Sequence, residues 1–169
     1  MHRDALFWKM LRGELPLPRA AATLGWKFVS YDEPSGELRA EFDASPALTN
    51  PMGNIQGGML SAMLDDCMGP AVYARLAPNR VAVTVESKTN FLSPAKPGRI
   101  LGIGRVEHAR GAIWLASGEL TDEAGRILAK ATSTFRVGNL RWRGVRVPNF
   151  VAKAALKRSF HRYAPVAER

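Results

Sequence analysis

Cysteine occurs once in these 169 residues, at Cys67, and histidine three times, at His2, His108 and His161. A single thiol excludes an intrachain disulfide framework, and no Cys and His have zinc-site spacing, so no metal is expected. Cys67 has no histidine near it in sequence and reads as a small packing residue rather than a nucleophile. No apolar run approaches the length of a membrane span; the longest apolar-rich stretches are around 59–64 and 112–116. The N-terminus carries Arg3, Asp4, Lys9 and Arg12 where a signal peptide would have an apolar run, and the expectation is a soluble, cytoplasmic protein. A Gly-x-Ser-x-Gly elbow, a Walker loop and a dinucleotide fingerprint are all missing, which removes the common serine-hydrolase and nucleotide-binding classes.

What is present describes one folded unit with a charged end. Apolar residues make up 46% of the chain, enough for a single domain with a sizeable core. The formal charge of +9 sits mostly at the C-terminal end: Gly138 to Arg169 holds eight Lys and Arg against one Glu. Such a tail suits nucleic acid, anionic lipid or a phosphorylated ligand, or a solvated extension docked on a partner subunit.

Periodicity divides the chain into three. Residues 1–23 are expected to be a helical extension, with Leu6, Phe7, Met10 and Leu11 at helical spacing before Gly13 and two prolines. In residues 24–139, alternation over 26–31 and 37–42 flanks Asp32-Glu33-Pro34-Ser35-Gly36 and predicts a hairpin. Residues 57–75 predict a helix so little amphipathic that it must be buried. Strands are expected over 81–92, 99–108, 112–120 and 126–137, joined by turns short enough to make them antiparallel neighbours. Residues 140–169 form a basic extension in which Phe150, Val151, Ala154, Ala155, Leu156 and Phe160 admit an amphipathic helix after Pro148. The order β-β-α-β-β-β-β predicts an α+β hotdog fold, a curved antiparallel sheet wrapped around one central apolar helix.

The chemistry concentrates in Asn50-Pro51-Met52-Gly53-Asn54-Ile55-Gln56-Gly57-Gly58 and the helix it enters. Gly57 and Gly58 have no side chain, so a ligand atom can approach their N–H groups at the helix start, the outline of an oxyanion site. Asp65 is a carboxylate inside a run of Met, Leu, Ala and Ser, where an unpaired charge is costly. Asp66 is rotated from it by about 100° and reads as exposed or salt-bridged. Asn50 also fits a plain turn residue before Pro51, Thr84 a strand threonine, and Lys96, Arg110 and Arg136 solvated charges.

Together, Asn50-x-x-Gly53-x-x-Gln56-Gly57-Gly58, then Asp65 after six residues, then Phe91-Leu92-Ser93-Pro94-Ala95-Lys96-Pro97-Gly98, resemble the PaaI-type acyl-CoA thioesterases of the hotdog superfamily. The resemblance covers roughly residues 26–139. It implies Asp65 as general base or nucleophile, the Gly57 N–H as oxyanion donor, Gly58 as a close-packing position, Asn50 orienting the carbonyl or the water, and Thr84 assisting the water. At Gln56 the chain departs from the family, which commonly has histidine; glutamine keeps a hydrogen-bond donor and cannot titrate near neutral pH. The resemblance also places Lys96, Arg110, Gly111 and Arg136 near the nucleotide or pantetheine of coenzyme A, which is part of the substrate, so no resident cofactor is implied. It implies a homodimer, with a tetramer left open, in which Asp65 meets Thr84 of the partner subunit.

The expected reaction is hydrolysis of an aryl or medium-chain acyl-CoA to a free acid and coenzyme A, with Leu60, Met63, Leu64 and the strand over 83–91 as pocket walls. The competing reading is a non-catalytic acyl-CoA-binding hotdog protein whose basic tail contacts DNA or an anionic membrane. Gln56 and the tail motivate it, although the tail has no helix-turn-helix pattern, and Trp142 and Tyr163 do not make a stacking surface. A thioester dehydratase or hydratase would need a His/Asp or His/Glu site that the chain does not assemble.

Overall fold

The computed structural model describes His2, residues 4–139 and two short paired strands at Arg141–Trp142 and Val145–Arg146. The helix expected after Pro148 lies outside the described residues. Two short helices, α1 (Leu6–Leu11) and α2 (Arg19–Thr23), precede a hairpin of β1 (Trp26–Asp32) and β2 (Glu37–Ala44). A single 3-10 turn at Pro46–Leu48 leads to α3 (Gly57–Arg75), followed by β3 (Arg80–Phe91), β4 (Gly98–Arg110), β5 (Ile113–Thr121) and β6 (Ile127–Asn139). Six strands form one antiparallel sheet in the order β1-β2-β4-β5-β6-β3, with α3 against its inner face.

One expectation is corrected by this order. Only β4, β5 and β6 meander; β3 does not pair with β4 but with β6 at the far edge, while β4 pairs with β2. The connection between β3 and β4 contains Pro94 and Pro97, which have no N–H to give a hairpin ladder. It acts instead as a tie: Ala95 is buried and its carbonyl accepts the Ile55 N–H at 2.8 Å, just ahead of α3.

The absence of side chains at three sheet positions lets α3 come close. A Cβ on Gly104 would overlap the Cys67 carbonyl and stand 2.9 Å from Met68 N, and one on Gly102 would overlap Cys67 Sγ. On β5, a Cβ at Gly118 would be 3.0 Å from the Met68 side chain. Leu60, Met63, Leu64, Cys67, Met68, Ala71 and Val72 are all at most 3% exposed and form one fully buried face of the helix. Ala62, Asp65, Asp66, Gly69, Pro70 and Tyr73 on the opposite face are half-buried, so burial is less complete than the composition predicts. Burial also pushes the Cys67 thiol up, which suits packing rather than reactivity.

Pro70 interrupts α3 without ending it. Its missing N–H deprives the Asp66 carbonyl of an intrahelical partner, and the Trp26 indole N–H supplies one at 2.9 Å. A second indole does the same near the helix end, Trp8 Nε1 donating to Ala74 O at 3.2 Å. Trp8 belongs to α1, and its neighbour Phe7 is 2% exposed and packs edge-to-face on Trp8 and Phe28. The N-terminal segment is thus part of the core. Among the described residues, no helix is long and apolar enough to cross a membrane.

Gly104→Ala is expected to cost about 3 kcal/mol or more in urea unfolding, the upper end of overpacking, because the obstruction is backbone that cannot rotate away. Gly138→Ala on β6, where a Cβ meets nothing within 4 Å, should change stability by less than about 1 kcal/mol.

Candidate active site

The segment before α3 is a built turn rather than slack chain. Asn50 Oδ1 accepts the Met52 and Asn54 N–H groups at 2.9 and 3.2 Å, and the Asn50 N–H donates to Asn54 O at 2.8 Å. Gly53 sits at φ 70°, a left-handed conformation that glycine tolerates best. The carbonyl oxygen of the Asn50 side chain is thus committed to shaping the loop. Gln56 is the N-cap residue; its N–H donates to Leu48 O at 2.9 Å, and its exposed side chain makes no capping bond. The first N–H groups of α3, at Gly57 and Gly58, consequently have no side-chain cap.

The two glycines differ in surroundings. A Cβ at Gly57 would stand 3.2 Å from the Phe91 ring at the end of β3, whereas at Gly58 it would meet nothing within 4 Å. Within the chain the close-packing position is therefore Gly57, and Gly58 faces open space.

Asp65 is partly exposed, and its Oδ1 accepts a hydrogen bond from Thr84 Oγ1 at 3.0 Å. This pair was expected across two subunits; it forms within one chain because β3 runs alongside α3. Both residues line a cavity of about 370 Å³ walled by Leu6, Phe7 and Met10 of the N-terminal helix and by Val81 and Phe135 of the sheet. The expected walls Leu60, Met63 and Leu64 do not line it; they are core residues at 3%, 0% and 0% exposure.

Asp66 also departs from expectation. It is neither fully exposed nor ion-paired: it lines the same cavity as Asp65, and its Oδ2 is buried without a hydrogen-bond partner. Burial, with the adjacent Asp65 charge as the smaller contribution, pushes its carboxyl up to about 6. The signal was present in the sequence: Ala62, Asp66, Gly69, Pro70 and Tyr73 make a weakly apolar face of α3, and Leu6, Phe7 and Met10 needed a surface to cover.

Distances separate the remaining candidates. Eight residues of helix put the Gly57 N–H about 12 Å from Asp65 along the axis, too far for both to act on one carbonyl in one chain. Lys96, beside the α3 start, is separated from Arg110 by the 13 residues of β4, about 40 Å along the strand. Arg110 and Arg136 do come together: Ile113 pairs with both, and Val83 pairs with Arg136, so the four lie in one row across the sheet. Gly111 adjoins that row at φ 63°. Among the described residues, no group of three or more His, Cys, Asp or Glu could hold a metal ion.

Asp66 makes stability depend on pH. Its carboxyl titrates near the ordinary 3.8 when unfolded and near 6 when folded, so across that window the native state keeps a proton the unfolded chain has lost. Stability is fully present at the acid end and falls by about 3 kcal/mol as pH rises through 6. Asp66→Asn should match the wild type near pH 4 and exceed it by up to about 3 kcal/mol at pH 8, read by urea unfolding. A difference independent of pH would contradict the assignment.

The Thioesterase superfamily matches this chain over residues 52–129, the stretch that contains Gly57, Asp65 and Thr84. A solved candidate thioesterase of Ralstonia eutropha JMP134, described as phenylacetic acid degradation-related, is 38% identical with a TM-score of 0.75, covering 77% of this chain and 98% of its own. The PaaI protein of E. coli, 19% identical with a TM-score of 0.63 over 75% of this chain and 91% of its own, shares the fold. So does smu.793 of Streptococcus mutans UA159, solved bound to acetyl CoA, at 24% identity and a TM-score of 0.61 over 69% and 91% of the two chains. With its six-stranded antiparallel sheet around α3, this chain belongs to the thioesterase superfamily and has the hotdog fold.

Proposed function

We propose that the protein is a cytoplasmic acyl-CoA thioesterase acting on aryl or medium-chain thioesters, with Asp65 as general base or nucleophile. The observation that carries this is the Asp65–Thr84 pair in the wall of the cavity. Thr84 donates to Oδ1 and so leaves Oδ2 to face a water or the thioester carbon. With Asp65 as base, water adds to the carbonyl as its proton passes to the carboxylate. The oxyanion is held by the Gly57 N–H, and collapse expels the coenzyme A thiolate, which takes up the proton. Asn50 holds the loop that presents Gly57, and the Gln56 side chain, free of capping duty, supplies a neutral donor to the carbonyl. No resident cofactor takes part.

The 12 Å between the two halves of this machinery is resolved by a second copy. β3 is an edge strand with Val83, Val85 and Phe91 exposed, followed by the exposed Leu92, and it has a free row of backbone groups. An antiparallel β3–β3 pairing centred near Ser87 and Lys88 would set Thr84 of one protomer opposite Phe91 of the other, and Phe91 lies against Gly57. The same pairing would bring Lys96 of one protomer toward Arg110, Gly111 and Arg136 of the other, a basic rim suited to the phosphates of coenzyme A. The acetyl CoA bound to the Streptococcus mutans relative supports that class of ligand. The homodimer is therefore the working unit, and the exposed Ile113 and Leu115 on β5 leave a face for tetramer formation.

Thiol release from a panel of acyl-CoAs tests the reading. Asp65→Asn should lower kcat at least about a hundredfold with folding intact. Gly57→Pro removes the N–H at the first helical position, where proline is tolerated after the extended Gln56 (ψ 136°), and should cost roughly 10²–10³ in kcat relative to Gly57→Ala, which adds the same Cβ 3.2 Å from the Phe91 ring and keeps the N–H. Binding of acyl-CoA without turnover by the wild type would favour instead the non-catalytic reading, for which Gln56 in place of histidine is the motive.

A further inference from the structure

We propose, on the basis of the thioesterase reading, that α1 is the stop for the acyl chain, and that Met10 sets the longest chain the site accepts. The cavity beside Asp65 and Thr84 has no Lys or Arg in its lining and carries two carboxylates, so it repels phosphates and cannot be the coenzyme A end. Its other polar groups are already engaged. Tyr73 OH donates to Ala82 O at 2.8 Å and accepts the Ala82 N–H at 3.2 Å, and Thr84 is bonded to Asp65. Apart from the Asp66 carboxyl, what remains is apolar and leads away from the reactive pair toward Leu6, Phe7, Met10 and Pro18, which belong to the N-terminal segment.

The end of that path is a thin wall. A smaller cavity of about 50 Å³ lies behind it, lined by Leu11, Leu17, Ala21 and Trp26, and shares Phe7, Met10, Pro18, Asp66 and Pro70 with the larger one. Phe7 is fixed by edge-to-face contacts with Trp8 and Phe28, at centroid distances of 5.0 and 5.9 Å. Met10 is unbranched and only partly buried, so it is the removable part of the wall. At about 370 Å³ the main cavity is near the small end for ligand pockets, which suits a short or medium chain and not a long one. The superfamily match begins at residue 52, so α1 lies outside the matched segment.

The test uses the full chain and linear saturated acyl-CoAs from acetyl to dodecanoyl, with kcat/KM from thiol release and Kd from the matching non-hydrolysable acyl-CoA thioethers. Each methylene buried should improve the value by about fourfold until the chain meets the wall, and then the gain should stop. Met10→Ala joins the two cavities and should move the break to longer chains; Leu6→Trp fills the larger one and should move it to shorter chains. Breaks that stay at the wild-type length in both variants, or that move the same way, overturn the α1 stop. The underlying reading fails separately, on absence of thiol release from every substrate or on full activity in Asp65→Asn, and the thioether Kd series still reads the wall in that event.

Discussion

The seating of α3 on β4 is the constraint from which the rest of the structure follows. Gly102 and Gly104 leave the sheet bare where Cys67 and Met68 press on it, and Gly118 on β5 widens the bed. With side chains there, the helix would have to rise, and the close-packed layer of Met63, Leu64, Met68 and Val72 would lose its contacts with the strands. The six strands curve around a helix because the helix can sink into them. Its buried cysteine is the residue small enough to lie over Gly102.

A helix held this firmly acts as a ruler. Its start is fixed by Gln56 to Leu48 and by Ile55 to Ala95, and its middle by the Trp26 indole on the carbonyl that Pro70 abandons. The free N–H groups at Gly57 and Gly58 and the Asp65–Thr84 pair are therefore held about 12 Å apart. On the proposed reading, fixed spacing of this kind makes a single chain two half-sites, one electrophilic and one basic. Edge strand β3, which carries Thr84 toward one end and Phe91 at the other, pairs with β6 on one side and leaves its other side free within the chain.

The fold was legible in the sequence because its signals are local: alternation in the strands, an apolar helix, a glycine pair at its start. Asp65 stands out for the same reason, as a carboxylate in an apolar run, and the structure places it on a cavity wall bonded to Thr84. The sheet order was not, since pairing β3 with β6 is a long-range choice, and the two prolines after Ser93 were read as a turn when they make a crossover. Asp66 escapes sequence reasoning because one helical step from Asp65 suggests an exposed or salt-bridged side chain, whereas α1 covers that face. The cavity walls were placed among Leu60, Met63 and Leu64 on volume and apolarity alone, which do not distinguish a residue facing the sheet from one facing a cavity. Asn50 combines both sequence readings: its side-chain carbonyl shapes the turn, which leaves the Nδ2 amide as the group that the expected catalytic role would use.

The central claim is that one working site takes Gly57 from one copy and Asp65 from another, and subunit complementation tests it most directly. Asp65→Asn and Gly57→Pro chains, each inactive alone, would be unfolded, mixed in equal amounts and refolded, then assayed for thiol release. Half of the dimers should be mixed, each with one intact site, so that activity returns to roughly a quarter of the wild-type level. Mixed dimers that form and remain inactive would contradict the shared site.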